Sequence, residues 1–199
     1  MKDLVLLVAD KNAEYALKGA LERTHRLGIR PITFEFRSHP GDGGVRKIGP
    51  EILARERQRF SHALLIFDFE GSGADCDAAT LEAKLDERLQ VVWQDRAKAI
   101  VIEPEVDVWM WGSDNAIRDV VGWPHDDTIR NWLGQNGFEF QANDKPIRPK
   151  ESLEAVTREA NQPRSSALYQ QIASNISLRN CTDAAFQRLR QQLINWFPE

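Results

Sequence analysis

Three apolar runs in this 199-residue chain stop at acidic residues. The run Leu-Val-Leu-Leu-Val-Ala at 4–9 ends at Asp10, with Lys11 next and Glu14 one helical turn later. The run at 63–67 ends at Asp68-Phe69-Glu70, and the run at 99–102 ends at Glu103-Pro104-Glu105, with Asp107 close behind. In extended backbone, residues i and i+2 point to the same side. If extension persists to residue 70, the carboxylates of Asp68 and Glu70 face one point, and Asp10 joins them if the first and third strands are neighbours. Like charges brought together repel unless protons or a cation compensate them. Mg²⁺ prefers oxygen ligands, and a bound ion can polarise a phosphoryl oxygen and activate water. Acids at these places also have a plainer use, capping the free N–H groups at a helix start; Asp10, just before a helix, fits that as well.

The elements that must position these acids follow from the apolar pattern. A continuous apolar run that stops at an acid reads as a strand buried on both faces, which gives strands at 4–9, 63–67 and 99–102. The alternating segment 31–36 is a fourth strand. Residues 12–26 repeat apolar positions at helical spacing, as do 80–89. Residues 38–44, Ser-His-Pro-Gly-Asp-Gly-Gly, carry turn chemistry and predict a loop; Pro50 is then the first residue of a helix reaching about residue 60. Beyond residue 102 the chain reads as helical, at 106–121, 126–136, 151–160, 165–176 and 182–196, with a polar loop at 141–150. Strands alternating with helices predict an α/β fold with a mainly parallel sheet flanked by helices. The expected division is an α/β core at 1–125 and a helical C-terminal extension at 126–199, packed as one structural unit. Ligands of such sheets sit beyond the carboxyl ends of the strands, where the acids fall.

The order of these motifs resembles the Toprim domain of topoisomerases, primases and overcoming-lysogenization-defect nucleases. That family has an acid after its first strand and an Asp-x-Asp after a later one; here these correspond to Asp10 and to Asp68 with Glu70. Over most of the chain the sequence is also similar to small Toprim-like proteins encoded near bacterial defence genes, including the Toprim-like component family of the methylation-associated phage-defence system. The matching features are Asp10 with Glu14, Asp68 with Glu70, Asp107-Val108-Trp109, and a helix pair around Cys181. The resemblance implies a Toprim-like fold, a Mg²⁺ site and phosphodiester chemistry within antiviral defence. Nucleic acid and other defence-system proteins are the implied partners. The sequence departs from the pattern in having Asp rather than Glu at position 10, Lys11 where a glycine is usual, and Asp-x-Glu rather than Asp-x-Asp. Asp10 reaches one methylene less far than Glu, and Glu70 one further.

The 26 Lys+Arg against 30 Asp+Glu leave a net charge of −4, which argues against passive coating of nucleic acid but not against an enzyme holding a phosphodiester through a cation. No run approaches the roughly 18 apolar residues of a membrane span, and the N-terminus lacks the pattern of a secretory signal, so a cytoplasmic protein without membrane association is expected. Cys76 and Cys181 match no metal spacing and are expected as thiols. The basic groups Arg46, Lys47, Arg55, Arg57, Arg59 and Lys145, Arg148, Lys150 read as solvated faces. The six tryptophans read as packing between sheet and helical half. The glycines at 41–44 lack the Gly-Lys-Ser/Thr ending of a nucleotide loop, and His39 and His125 lack helical metal spacing. A nucleotide-binding module using the 41–44 loop therefore ranks below two leading function classes. In the first, a Mg²⁺-dependent nuclease, Asp10, Glu14, Asp68 and Glu70 form the catalytic set, Asp10, Asp68, Glu70 and Asp107 hold metal, and Lys11 contacts phosphate. In the second, the chain is a non-catalytic sensor or scaffold that retains the fold.

Overall fold

The computed structural model describes residues 1–176 and 181–199. Four strands, β1 (Lys2–Val8), β2 (Phe34–Ser38), β3 (Phe60–Asp68) and β4 (Ala97–Ile102), form one sheet in the order β2-β1-β3-β4. Every pairing is parallel. β1 and β3 lie at the centre and are apolar on both faces because both faces are covered. Leu4, Leu6 and Val8 point into one core, and Val5 and Leu7 into the other. The architecture is the expected α/β arrangement, a parallel sheet flanked by helices, consistent with a Toprim-like fold.

The chain moves one way from β1 to β2 and the other way from β3 to β4. Crossovers of one hand that run in opposite directions put their helices on opposite faces. α1 (Lys11–Leu21) accordingly packs on the first core, and α3 (Asp42–Ala54) and α4 (Ala78–Trp93) on the second. The first core continues through α5 (Asp107–Met110), α6 (Asp114–Val121), α7 (Ile129–Gln135), α8 (Pro149–Glu159), α9 (Ser166–Asn175) and α10 (Ala184–Trp196) to Phe197. α9 lies against α1 so closely that a Cβ on Gly19 would stand 2.6 Å from the backbone oxygen of Gln170.

Several elements differ from the sequence reading. The 12–26 helix is two, α1 and the short α2 (Thr24–Leu27), and the predicted 106–121 helix divides into α5 and α6 around Gly112-Ser113. The predicted loop at 38–44 is helical from Asp42, so Pro50 sits inside α3 rather than at its start. Proline lacks the N–H that would bond to the carbonyl four residues back. Here Arg88 from α4 supplies the donor: Nη1 reaches the Arg46 carbonyl at 3.1 Å and Nη2 the Lys47 carbonyl at 2.7 Å. Close packing also favours glycine in this helix, because a Cβ on Gly49 would meet Leu65 Cδ1 at 2.5 Å.

Trp109 and Trp111 lie between sheet and C-terminal helices, whereas Trp93 is buried on the opposite face. Cys76 and Cys181 are free thiols. Residues 177–180, which fall within the helix pair expected around Cys181, lie outside the described residues. No helix among the described residues is long and apolar enough to cross a membrane.

Candidate functional site: an acidic cleft at the strand ends

The strand order reverses between β1 and β3, and the residues following these two strands border a cleft of about 390 Å³. Among the described residues, Asp10, Asp42, Asp68, Glu70, Glu105, Glu151 and Glu154 line it, with Lys150 as the one cation on its wall. The acids arrive from five parts of the fold. Asp10 follows β1, Asp42 opens α3, Asp68 ends β3, Glu105 follows β4, and Glu151 and Glu154 come from α8. Extension ends at Asp68, but the chain stays beside the exit of β4. Phe69 N–H donates to the Ile102 carbonyl at 2.7 Å and Glu70 N–H to that of Pro104 at 2.9 Å. Gly71 adopts φ +86°, and a Cβ there would stand 3.2 Å from Asp42 Oδ2, inside the cleft.

Like Glu105, which is 7% exposed, Asp68 is buried, at 9%. Its Oδ1 accepts the Val106 N–H at 2.9 Å, and its backbone N–H donates to Asp42 Oδ1 at 3.0 Å. Burial pushes its carboxyl well above the ordinary aspartate range; the charges of Asp42 and Asp10 push the same way and outweigh the Val106 hydrogen bond. Asp42 is raised too, chiefly by burial, with Asp10 adding to it and the Asp68 N–H and Lys150 opposing. Glu105 is pushed up to about 7, first by burial, then by Asp107, against the pull of Lys150 Nζ, which stands 3.7 Å away. Among the described residues, no lysine or arginine lies within ion-pair distance of Asp10, Asp42, Asp68 or Glu70.

The cleft thus gathers Asp10, Asp68 and Glu70 of the sequence-derived set. Asp10 has a second task as the N-cap of α1, its Oδ1 accepting the Ala13 N–H at 2.8 Å. Asp107 is buried away from the cleft wall. Its Oδ1 accepts from the Tyr169 hydroxyl at 2.6 Å and from Arg164 Nη2 at 3.1 Å, and Arg164 Nη1 holds Glu154 at 2.6 Å. Glu14 is half-buried and Lys11 exposed on the first turn of α1; neither borders the cleft. Sequence reasoning missed Asp42, whose acid sits inside what reads as a glycine turn, and Lys150, which reads as part of a solvated basic group. Glu105 was visible as a strand-end acid.

The donors fit Mg²⁺ in kind, since they are hard, anionic oxygens, and their mutual repulsion is what a divalent ion would relieve. Among the described residues, no three His, Cys, Asp or Glu side chains are already gathered at ion-holding spacing.

No family model matches the chain, and no curated protein matches it. Among solved structures, the chain is similar to the C-terminal region of the Burkholderia pseudomallei OLD protein, with 13% identity, a TM-score of 0.46, and 98% of each chain covered.

Proposed function

We propose that this chain is a Mg²⁺-dependent, Toprim-like phosphodiester-cleaving protein acting in bacterial antiphage defence. The enzymatic part is carried by one observation: Asp10, Asp42, Asp68 and Glu70 border one cleft at the strand-order reversal, with Asp68 buried and facing other acids rather than a cation. In this reading Asp10, Asp68 and Glu70 hold the ion, and Asp42 adds charge beside them. The bound ion supplies a Lewis acid for a phosphoryl oxygen and a more acidic water. The chain's own part is to fix the carboxylates. The Val106 N–H orients Asp68, the Ala13 N–H orients Asp10, and the Arg164–Tyr169 pair holds Asp107 behind them. The defence role, with nucleic acid and other defence proteins as partners in the cytoplasm, rests on the sequence resemblance alone.

Calorimetric titration with MgCl₂ tests the reading on wild type and Asp68→Asn, alongside nicking assays on duplex DNA, single-stranded DNA and RNA. Wild-type binding that disappears in Asp68→Asn, together with Mg²⁺-dependent nicking, supports it. A wild type that binds no Mg²⁺ at millimolar concentration overturns it. That outcome favours the second reading, a non-catalytic sensor or scaffold, for which the absence of a gathered carboxylate trio among the described residues and the capping role of Asp10 speak.

A further inference from the structure

A second cavity, of about 360 Å³, opens between the start of α6, the segment before α8, and residues 181–182. It shares no lining residue with the acidic cleft. Lys145 lines it and is only 4% exposed, and its Nζ is closed off from water with no hydrogen-bond partner among the described residues. A buried ammonium without a partner is strongly unfavourable. Nearby groups that could answer it are engaged elsewhere. Asp144 holds Arg130 Nη1 at 2.7 Å, and Asp114 accepts the Arg130 backbone N–H at 3.3 Å. Asn143 Oδ1 accepts the backbone N–H of Lys145 itself at 3.2 Å. The Cys181 thiol is close enough to feel the lysine charge, yet burial is the stronger influence and keeps it un-ionised.

Among the described residues, the charged side chains lining the cavity are Lys145, Arg130, Asp114 and Asp144. The arginine and one aspartate already neutralise each other. Asp114 is left without an ion pair among the described residues, so a monoanion that pairs with Lys145 meets less of its repulsion than a dianion such as phosphate does. The volume lies in the range of small-molecule sites, and Trp111 provides an apolar wall beside the hydroxyl-bearing Ser113 and Thr182. We propose that this cavity binds the carboxylate of a small organic acid, with Lys145 as its anchoring cation, its ammonium turning out of its buried position to meet the ligand.

The test follows the thermal midpoint of the full chain in acetate, propionate and benzoate, against chloride and inorganic phosphate at matched ionic strength. At ten times its dissociation constant, a carboxylate raises the midpoint by roughly 4 °C, and chloride and phosphate do not. Lys145→Met keeps an apolar stem and removes the charge. That variant melts above wild type in chloride, and the carboxylate shift vanishes. An independent readout on wild type is amide chemical-shift mapping during an acetate or benzoate titration, with the changes expected at residues 112–114 and 143–145. A shift retained in Lys145→Met, an equal response to phosphate, or amide changes scattered away from these segments overturns the proposal.

Discussion

Glu82 and Asp68 are both buried carboxylates beside β4, and the fold treats them in opposite ways. Glu82, on α4, takes Arg188 Nε and Nη2 at 2.9 Å each, the Val101 N–H at 3.0 Å, and Lys98 Nζ at 3.6 Å. Two cations and a backbone donor surround it, and the group ties α10 to α4 and the sheet. Asp68 has one backbone donor, and its electrostatic neighbours are Asp42, Asp10 and Asp107. A buried acid is tolerable when its charge is answered. Glu82 is answered from within the chain and Asp68 is not, so the first reads as structure and the second as a place for something outside the chain. Asp107 stands between the two cases: it adjoins the cleft in its electrostatic influence, yet Arg164 and Tyr169 occupy its oxygen.

The largest effect that would sharpen this contrast is loss of the cation at the paired site. Arg188→Met leaves Glu82 with the Val101 N–H and Lys98 alone and lowers stability by about 3 kcal/mol, the low end for breaking a buried pair because Arg188 is partly exposed; the urea midpoint measures it. At the intermediate site, Tyr169→Phe removes one hydrogen bond to the Asp107 carboxylate and destabilises by about 1.5 kcal/mol, again read by urea unfolding.

At the unanswered site the sign inverts. Asp68→Asn keeps an oxygen for the Val106 N–H and removes an acid that faces other acids, so the variant is more stable than wild type at neutral pH without Mg²⁺. A loss of stability in this variant would break the contrast. The last effect is a matter of pH. Glu105 has its pKa raised in the folded state to about 7 from an ordinary 4.5. The folded state therefore binds the proton more tightly than the unfolded one. Its penalty is absent below the unfolded value, grows as pH rises from about 4.5 through about 7, and is complete above that. Glu105→Gln flattens this part of the stability–pH curve, seen in thermal midpoints between pH 4 and 8.

The strands and their terminal acids were legible because burial on both faces of a parallel sheet demands long apolar runs, and such runs are visible without neighbours. The start of α3 was not. Gly43, Gly44 and Pro50 carry turn and helix-start signals; within the helix, His39 and Leu65 press on Gly44 and Gly49, and Arg88 covers the Arg46 carbonyl that Pro50 leaves unbonded. With that helix misplaced, Asp42 looked like a loop residue. Lys145 and Lys150 share a short basic stretch in the sequence, yet one is sealed in a cavity and the other faces the acidic cleft.

By itself, the sequence determined the alternation of strand and helix and the presence of acids at the strand ends, since both are local: a few consecutive side chains record them. The tertiary structure decided which acids share a cleft, which acquire a cation, and that Lys145 is buried without an anion among the described residues. Pairing of charges depends on residues up to 106 positions apart, as Glu82 and Arg188 are, and only strand order and helix packing set those distances.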